Sequence, residues 1–98
     1  MASLAWSRRA GRDLQRLDAF LSDRDPEAAS RAMQAIRDAV RLLVDFPHAG
    51  RPASDLGAEC RELPVRFGSS GYVVLYRLRG EAIVIAAVRH MREAGYQP

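Results

Sequence analysis

The fold is decided by the stretch of residues 60–88, which reads CRELPVRFGSSGYVVLYRLRGEAIVIAAV. In its first part Leu63, Val65 and Phe67 alternate with polar residues or proline, and this period of two is typical of a strand with one buried face. Residues 72–76 are apolar on both sides and suit a central strand. Two short segments that contain glycine interrupt the pattern as tight turns do. The stretch therefore predicts a three-stranded antiparallel meander.

Two helices are predicted upstream of the meander, because apolar side chains recur there every three or four residues. Ser7 is a good N-cap for a first helix over residues 8–22. Asp25 and the proline after it suit the start of a second helix, which we place at 26–45. The apolar stripes are Ala10, Leu14, Leu17 and Leu21 in the first helix and Ala29, Met33, Ile36, Val40 and Leu43 in the second. The charged residues placed off the first stripe are Arg9, Arg12, Asp13, Arg16 and Asp18.

The remaining segments complete an α+β fold. Residues 2–6 read as a short N-terminal strand, and residues 48–59 read as a loop rich in glycine and proline. The length suits one domain over residues 1–98. We expect a short strand, a two-helix hairpin and then the meander, with a twisted antiparallel sheet that carries both helices on one face.

Composition limits the chemistry that the chain can perform. All fifteen basic residues are arginine, and twelve acidic residues leave a net charge of +3, a mild basic excess. Any contact with phosphate or carboxylate therefore has to come from a guanidinium group. Cys60 is the only cysteine, so neither an internal disulfide nor a zinc cluster is expected, and no metal or cofactor is predicted. No apolar run approaches the ~20 residues of a membrane span, which favours a cytoplasmic protein that does not bind membranes.

Three arginines near the end of the chain are candidate binding residues. Arg77, Arg89 and Arg92 lie on neighbouring strands or just beyond them, and could form one basic patch that grips phosphate or an acidic partner. The alternative is that they are solvated and paired with Glu81 and Glu93.

Other side chains have a structural and a functional interpretation. His90 could act as an acid or base near neutral pH, or simply be hydrogen-bonded at a strand end. Tyr96 lies outside any periodic pattern and could be exposed or contact a partner. Arg61 has the parity of the buried strand residues, which favours an internal hydrogen bond. Tyr72 and Tyr76 share a strand face and are expected in the core.

Five fragments of the chain resemble the RelE/ParE superfamily of bacterial toxins, and more closely its ParE-like branch. They are DPEAA at residues 25–29, FPHAGRP at 46–52, CREL at 60–63, GYVVLYR at 71–77 and VRHMREAGY at 88–96. Their order along the chain is that of the family. The resemblance implies a RelE/ParE-like fold and a cytosolic toxin that a cognate acidic antitoxin of the ParD or RelB type neutralises.

The two branches of this superfamily differ in their targets. RelE-like members enter the ribosomal A site and cleave messenger RNA, whereas ParE-like members poison DNA gyrase. In the ribonuclease branch basic residues along the strands act with a C-terminal tyrosine. The resemblance places two of those basic positions on Glu62 and Pro64 and a third on Val73. The last basic position falls on Met91, or on Arg92 with one gap, and Tyr96 alone fits without adjustment.

These observations leave three hypotheses. The first is a ParE-like gyrase inhibitor without chemistry of its own, and the missing basic pattern favours it. The second is a ribosome-dependent endoribonuclease that uses His90, Arg92 and Tyr96. The third is a degenerate toxin that binds only its antitoxin. The residues expected to contact the antitoxin or the target are Arg77, Arg89, His90, Arg92 and Tyr96.

Overall fold

The computed structural model describes residues 2–98, which form one five-stranded sheet with two helices packed on it. In chain order the elements are β1 (Ser3–Trp6), α1 (Arg8–Ser22), α2 (Pro26–Leu42), β2 (Arg51–Pro52), a 3-10 turn (Ser54–Leu56), β3 (Cys60–Phe67), β4 (Ser70–Arg79) and β5 (Ala82–His90). The α+β class, the helical hairpin and the meander are confirmed. Neither helix of these residues is both long and apolar enough to cross a membrane.

The sheet has the strand order β1-β5-β4-β3-β2 and is mixed. Strands β2 to β5 pair antiparallel, but β1 runs parallel to β5, with Ser3 opposite Ala82 and Trp6 opposite Ile85. The antiparallel pairing predicted for the sheet is therefore right for β2 to β5 and wrong for β1. Short turns fix the direction of the meander strands, whereas β1 reaches the sheet edge through a helical hairpin, and its side-chain pattern does not encode its direction.

Both helices begin where their capping residues predict. The Ser7 hydroxyl accepts a hydrogen bond from the Ala10 amide at 3.1 Å, and the Asp25 carboxylate accepts one from the Ala28 amide at 3.0 Å. Helix α1 has the predicted bounds, but α2 ends at Leu42, three residues earlier than predicted. Residues 43–45 form turns instead of a further helical turn, and Phe46 before Pro47 is restricted to non-helical backbone.

A buried corner fixes the loop after α2 against the sheet. The Tyr76 hydroxyl donates to the Pro47 carbonyl at 2.8 Å and accepts from the Gly50 amide at 2.9 Å. A Cβ at Gly50 would lie 2.7 Å from the Glu62 carbonyl oxygen and from the Tyr76 ring, so only glycine fits. Arg61 donates to the Gly50 carbonyl at 2.6 Å, which is the internal hydrogen bond that strand parity predicts. Burial of Tyr72 and Tyr76 in the core is confirmed as well.

Candidate functional site

A β-bulge in β5 decides which side chains reach each face of the sheet. Before the bulge Ile85 pairs with Tyr76, and after it Ala87 pairs with Leu75, so that Ala86 is an extra residue. Because side chains alternate along a strand, one inserted residue exchanges the two faces for everything after it. Arg89 consequently lies on the face away from the helices, which we call the open face, and His90 lies on the helix side.

Helix α1 supports the bulge through a buried carboxylate. Asp13, only 5% exposed, accepts a hydrogen bond from the Val88 amide at 2.9 Å, and the Ser7 hydroxyl donates to the Ala86 carbonyl at 3.1 Å. Strand β1 ends at Trp6, so these side chains serve backbone groups that lack a neighbouring strand. The prediction that Asp13 lies off the buried stripe was wrong, since it faces the sheet with Ala10 and Leu17. Its spacing, three residues after Ala10 and four before Leu17, suits this face, but its charge argued for an exposed position, and the amide that binds it lies 75 residues away.

On the open face the C-terminal segment folds back over the sheet. The Tyr96 hydroxyl donates to the Glu62 carboxylate of β3 at 2.5 Å, and the Arg89 guanidinium of β5 lies 5.3 Å from the centre of the Tyr96 ring. Because β4 lies between these two strands, the ring extends across it. Val73 and Ala87 are 2% and 1% exposed on this face, which no helix covers. Burial, and then the neighbouring Glu62 carboxylate, raise the pKa of Tyr96.

The open-face arginines are held in different ways. Arg89 donates to the carbonyls of His90, Met91 and Glu93 at 3.1–3.4 Å, and so fixes the turn that begins the C-terminal segment. Arg77 lies opposite Val84, four residues along β4 from the partner of Arg89. The Nε atoms of both arginines are buried and have no hydrogen-bond partner among the described residues.

On the helix side a groove of about 600 Å³ runs between α1 and the end of β5. We call it the helix-side groove. One wall is apolar and comes from α1, with Leu17, Phe20 and Leu21. The other wall comes from Tyr72 of β4 and from His90 and Arg92 at the end of β5. The paired side chains of Arg16 and Glu93 also line the groove. The His90 ring packs edge-on against Tyr72 with 5.3 Å between ring centres, and its Nδ1 accepts a hydrogen bond from the Arg92 amide at 3.1 Å.

Glu93 joins α1 to the C-terminal segment. Its carboxylate accepts hydrogen bonds from Arg16 at 3.1 and 3.4 Å, from the His90 amide at 2.8 Å and from Gln97 at 2.8 Å. Burial alone would raise the pKa of this carboxyl, but the hydrogen bonds and the charge of Arg16 outweigh burial, and its pKa lies below the ordinary value. These contacts tie the turn after β5 to α1.

The structure separates residues that the sequence grouped together. Arg77 and Arg89 emerge on the open face, whereas Arg92 lines the helix-side groove, so the three do not form one basic patch. His90 and Tyr96 also lie on opposite sides of the sheet. The bulge turns Arg89 to the open face and His90 to the helix side, and the uninterrupted apolar run of β5 gives no sign of it.

The described residues offer no metal site, since no group of three or more His, Cys, Asp or Glu side chains within residues 2–98 could hold an ion. The groups available for recognition are guanidinium, imidazole, phenol and carboxylate. They suit the binding of charged and aromatic surfaces.

Comparison with known families decides the class of protein that this geometry belongs to. Residues 4–95 match the model of the family described as the ParE toxin of the type II toxin–antitoxin system parDE. The chain belongs to the ParE toxin family. It is thus the toxin component of a type II toxin–antitoxin system in the RelE/ParE superfamily, and the family implies an antitoxin partner.

Relatives of this ParE-family toxin carry names from both branches. The chain is 41% identical over 93 residues to Toxin RelE3 of Caulobacter vibrioides, which covers 95% of this chain and 98% of that toxin. It is 38% identical over 82 residues to Toxin RelE1 of the same organism, with 84% and 85% covered. A solved structure of a chromosomal ParDE system from P. aeruginosa is similar with a TM-score of 0.74, 28% identity, and 92% and 96% covered.

Proposed function

We propose that this ParE-family toxin acts in the cytoplasm by binding DNA gyrase and that it does not cleave messenger RNA. The observation that carries the proposal is the composition of the open face, where Glu62 holds the Tyr96 hydroxyl at 2.5 Å. The positions that correspond to basic residues in the ribonuclease branch carry a carboxylate at Glu62, a proline at 64 and a buried valine at 73.

This face is chemically unsuited to phosphoryl transfer. A ribonuclease has to stabilise a phosphorane and move protons at the attacking and leaving oxygens, and loss of one oxyanion donor typically costs ~10²–10³ in rate. A carboxylate at Glu62 repels the scissile phosphate. Because the pKa of Tyr96 is raised by burial and by Glu62, its phenol resists ionisation and cannot serve as a base near neutral pH.

His90 does not supply the missing group. Its ring contacts Tyr72 on the helix side, whereas the Tyr96 hydroxyl binds Glu62 on the open face. An RNA phosphate beside one of these side chains is therefore separated from the other by the sheet. This arrangement disfavours the second hypothesis, a nuclease site of His90, Arg92 and Tyr96.

A binding toxin needs an ordered surface rather than a catalytic group. The segment from Arg89 to Tyr96 is ordered by Glu93 and by the carbonyl contacts of Arg89, and it presents Arg92 to solvent. Arginine and tyrosine are the residue types that most often anchor interfaces. We therefore propose this segment as the surface that holds gyrase.

Neutralisation is proposed to come from an acidic antitoxin in a hetero-oligomeric complex. A disordered acidic tail that folds on binding could cover Arg77, Arg89 and Arg92, the basic residues proposed above. Since Arg92 lies on the other side of the sheet from Arg77 and Arg89, such a tail has to pass around the end of β5.

Two parallel assays test the target. The purified toxin is added to gyrase with supercoiled plasmid and, separately, to translating ribosomes. We expect linear cleaved plasmid and intact messenger, and we expect Arg92→Glu to raise the toxin concentration needed by about tenfold or more. Arg41→Glu, at an exposed position on α2, is the matched control and should act like the wild type. Messenger cleaved in the A site, with cleavage abolished by His90→Ala and gyrase unaffected, would establish the ribonuclease instead.

A further inference from the structure

Two amides near the end of β5 are bound by carboxylates instead of by a strand. Strand β1 ends at Trp6, so among the described residues no strand borders the outer edge of β5 beyond residue 85. There the Val88 amide donates to the Asp13 carboxylate at 2.9 Å. The His90 amide donates to the Glu93 carboxylate at 2.8 Å. One acceptor belongs to α1, whereas the other follows β5 in the turn.

A single guanidinium joins these two carboxylates. Arg16 of α1 lies 3.8 Å from Asp13 and donates to both oxygens of Glu93 at 3.1 and 3.4 Å. The side chains of Asp13 and Glu93 are only 6% and 20% exposed, so water screens them little. Because both lie within 4 Å of the same guanidinium, the charge of Arg16 offsets the repulsion between them.

The fold holds the two carboxylates with different firmness. Asp13 lies within α1, on the face that packs against the sheet. Glu93 lies beyond the last strand, in the segment from Arg89 to Tyr96 that is proposed to hold gyrase. If the charge of Arg16 is removed, repulsion from Asp13 should therefore displace this segment and not the helix.

Contacts that lead to α1 stand on both sides of Tyr96 along the chain. Glu93 comes three residues before it and Gln97 directly after it. The Gln97 side chain donates to the Glu93 carboxylate at 2.8 Å, and the Gln97 carbonyl accepts a hydrogen bond from Arg9 of α1. A displacement of the segment at Glu93 would therefore also move the Tyr96 ring, whose hydroxyl binds Glu62 on the open face.

We propose that Arg16 is a positioning residue for the segment that holds gyrase. It keeps Glu93 near the buried Asp13, and so fixes the direction in which the chain leaves β5. The segment is then ordered before the target arrives, and less conformational entropy is lost on binding. Arg16 needs no contact with gyrase in this role. The role rests on the proposed function, in which the segment from Arg89 to Tyr96 binds gyrase.

The first test measures the toxin concentration that gives half-maximal cleavage of plasmid by gyrase. We expect Arg16→Gln to raise this concentration about tenfold or more. Arg16→Lys keeps the charge but loses the forked geometry of the guanidinium, and should stay within about threefold of the wild type. Arg12→Gln is the matched control, because it removes the same charge from an exposed position one turn earlier on α1 and should stay within about twofold.

A second substitution separates positioning from direct contact. Glu93→Gln loses the ion pair but keeps an acceptor, and alone should raise the concentration about three- to fivefold. Combined with Arg16→Gln it removes the repulsion from Asp13, so the double variant should recover to the level of Glu93→Gln alone. If Arg16 contacted gyrase directly, the two losses would multiply instead.

The ionisation of Tyr96 reports the position of the segment. Burial, and then Glu62, raise the pKa of this phenol, so a displaced ring should ionise at lower pH. In Arg16→Gln we expect one phenol to ionise near pH 10 while circular dichroism still shows the folded chain. Arg12→Gln should titrate like the wild type.

The outcomes distinguish this role from the proposed function. Wild-type activity in folded Arg16→Gln would show that the segment needs no such support. An inactive Arg16→Gln with unchanged tyrosine titration, and no recovery in the double variant, would show that Arg16 contacts gyrase itself. Either result overturns the role and leaves the proposed function standing. If the wild-type toxin produces no cleaved plasmid with gyrase, the proposed function fails and the role fails with it.

Circular dichroism and thermal melting check that each variant is folded. Glu93→Gln alone breaks the ion pair without leaving two unbalanced carboxylates, so it carries the test if Arg16→Gln does not fold. Wild-type activity and an unchanged tyrosine titration in Glu93→Gln would then overturn the role. A weaker toxin with one phenol that ionises near pH 10 would support it.

Discussion

At the scale of single residues the buried carboxylate of Asp13 is the side chain on which the site most depends. It caps the Val88 amide beside the bulge, and a buried amide without an acceptor costs about 1–3 kcal/mol. We expect Asp13→Ala to lower the free energy of unfolding by about 2–3 kcal/mol, measured by urea denaturation. Asp13→Asn keeps an oxygen acceptor and should lose less.

The matched control for this prediction is Asp38→Ala on α2. The Asp38 side chain is exposed, accepts a hydrogen bond from Gln34 and lies 3.9 Å from the Arg41 guanidinium. Exposed pairs of this kind contribute little, so its removal should change the free energy of unfolding by less than about 0.5 kcal/mol. Equal losses in Asp13→Ala and Asp38→Ala would mean that the Val88 amide finds water or another acceptor when the carboxylate is gone.

The sequence predicts individual core residues better than it predicts site residues. Tyr72, Tyr76 and Arg61 lie where strand parity places them, because parity holds within an uninterrupted strand. The orientations of Arg89 and His90 depend on the bulge at Ala86, whose backbone is capped by side chains from the distant start of the chain. Local pattern carries no information about such a cap, so the two faces of the site could not be assigned from the sequence.

At the scale of elements the contact between α1 and the C-terminal segment should make stability depend on pH. The folded pKa of Glu93 is depressed, so this carboxylate stabilises the fold above its unfolded pKa and loses that contribution as the pH falls. We expect the free energy of unfolding to decrease below about pH 4.5, and to decrease less in Glu93→Gln. Urea denaturation of both proteins at a series of pH values measures the difference.

Parallel curves for wild type and Glu93→Gln across the acidic range would contradict this account. They would show that a neutral amide at position 93 stabilises the fold as much as the ion pair with Arg16 does. A second readout is how strongly an added quencher lowers the fluorescence of Trp6. This quenching should be the same in Glu93→Gln as in the wild type if the substitution releases only the C-terminal segment. Trp6 lies on β1, opposite Ile85.

The elements themselves follow from local signals to different degrees. Helix α1 has the predicted bounds because its cap and its apolar stripe are both local, and the meander follows from alternation and glycine turns. Strand β2 was missed, since Arg51–Pro52 is two residues long and exists only through its pairing with Arg61 and Glu62. The direction of β1 was wrong because pairing with a distant strand sets it.

At the scale of the whole molecule the three tyrosines should ionise at a higher pH than free tyrosine, and should do so as the protein unfolds. Burial is the largest cause of the raised pKa in Tyr72, Tyr76 and Tyr96, and negative charge from Asp18 and Glu62 adds to it in the first and the last. Unfolded tyrosines ionise near pH 10, so the stability that depends on protonated phenols is intact below about pH 10 and is lost as the pH rises above it.

An alkaline titration followed by phenolate absorbance and by circular dichroism measures this effect. We expect the absorbance of the native chain to rise at higher pH than that of the chain in denaturant, and to rise as the dichroism signal disappears. Tyr96→Phe should leave two phenols that ionise at the higher pH. Three phenols that ionise reversibly near pH 10 without loss of dichroism would contradict the burial described above.

The parallel pairing of β1 with β5 also determines how late in its synthesis the toxin can fold. Residues 3–6 are synthesised before their partners, residues 82–85, so the sheet edge stays open until those partners have left the ribosome. Contacts of such long sequence separation form late, because most of the chain has to be present before the loop can close. The hydrogen bond from the Val88 amide to the Asp13 carboxylate likewise cannot form until Val88 has been synthesised. The toxin can therefore fold only after residues 82–88 have been synthesised, and an antitoxin already in solution can bind it from that moment.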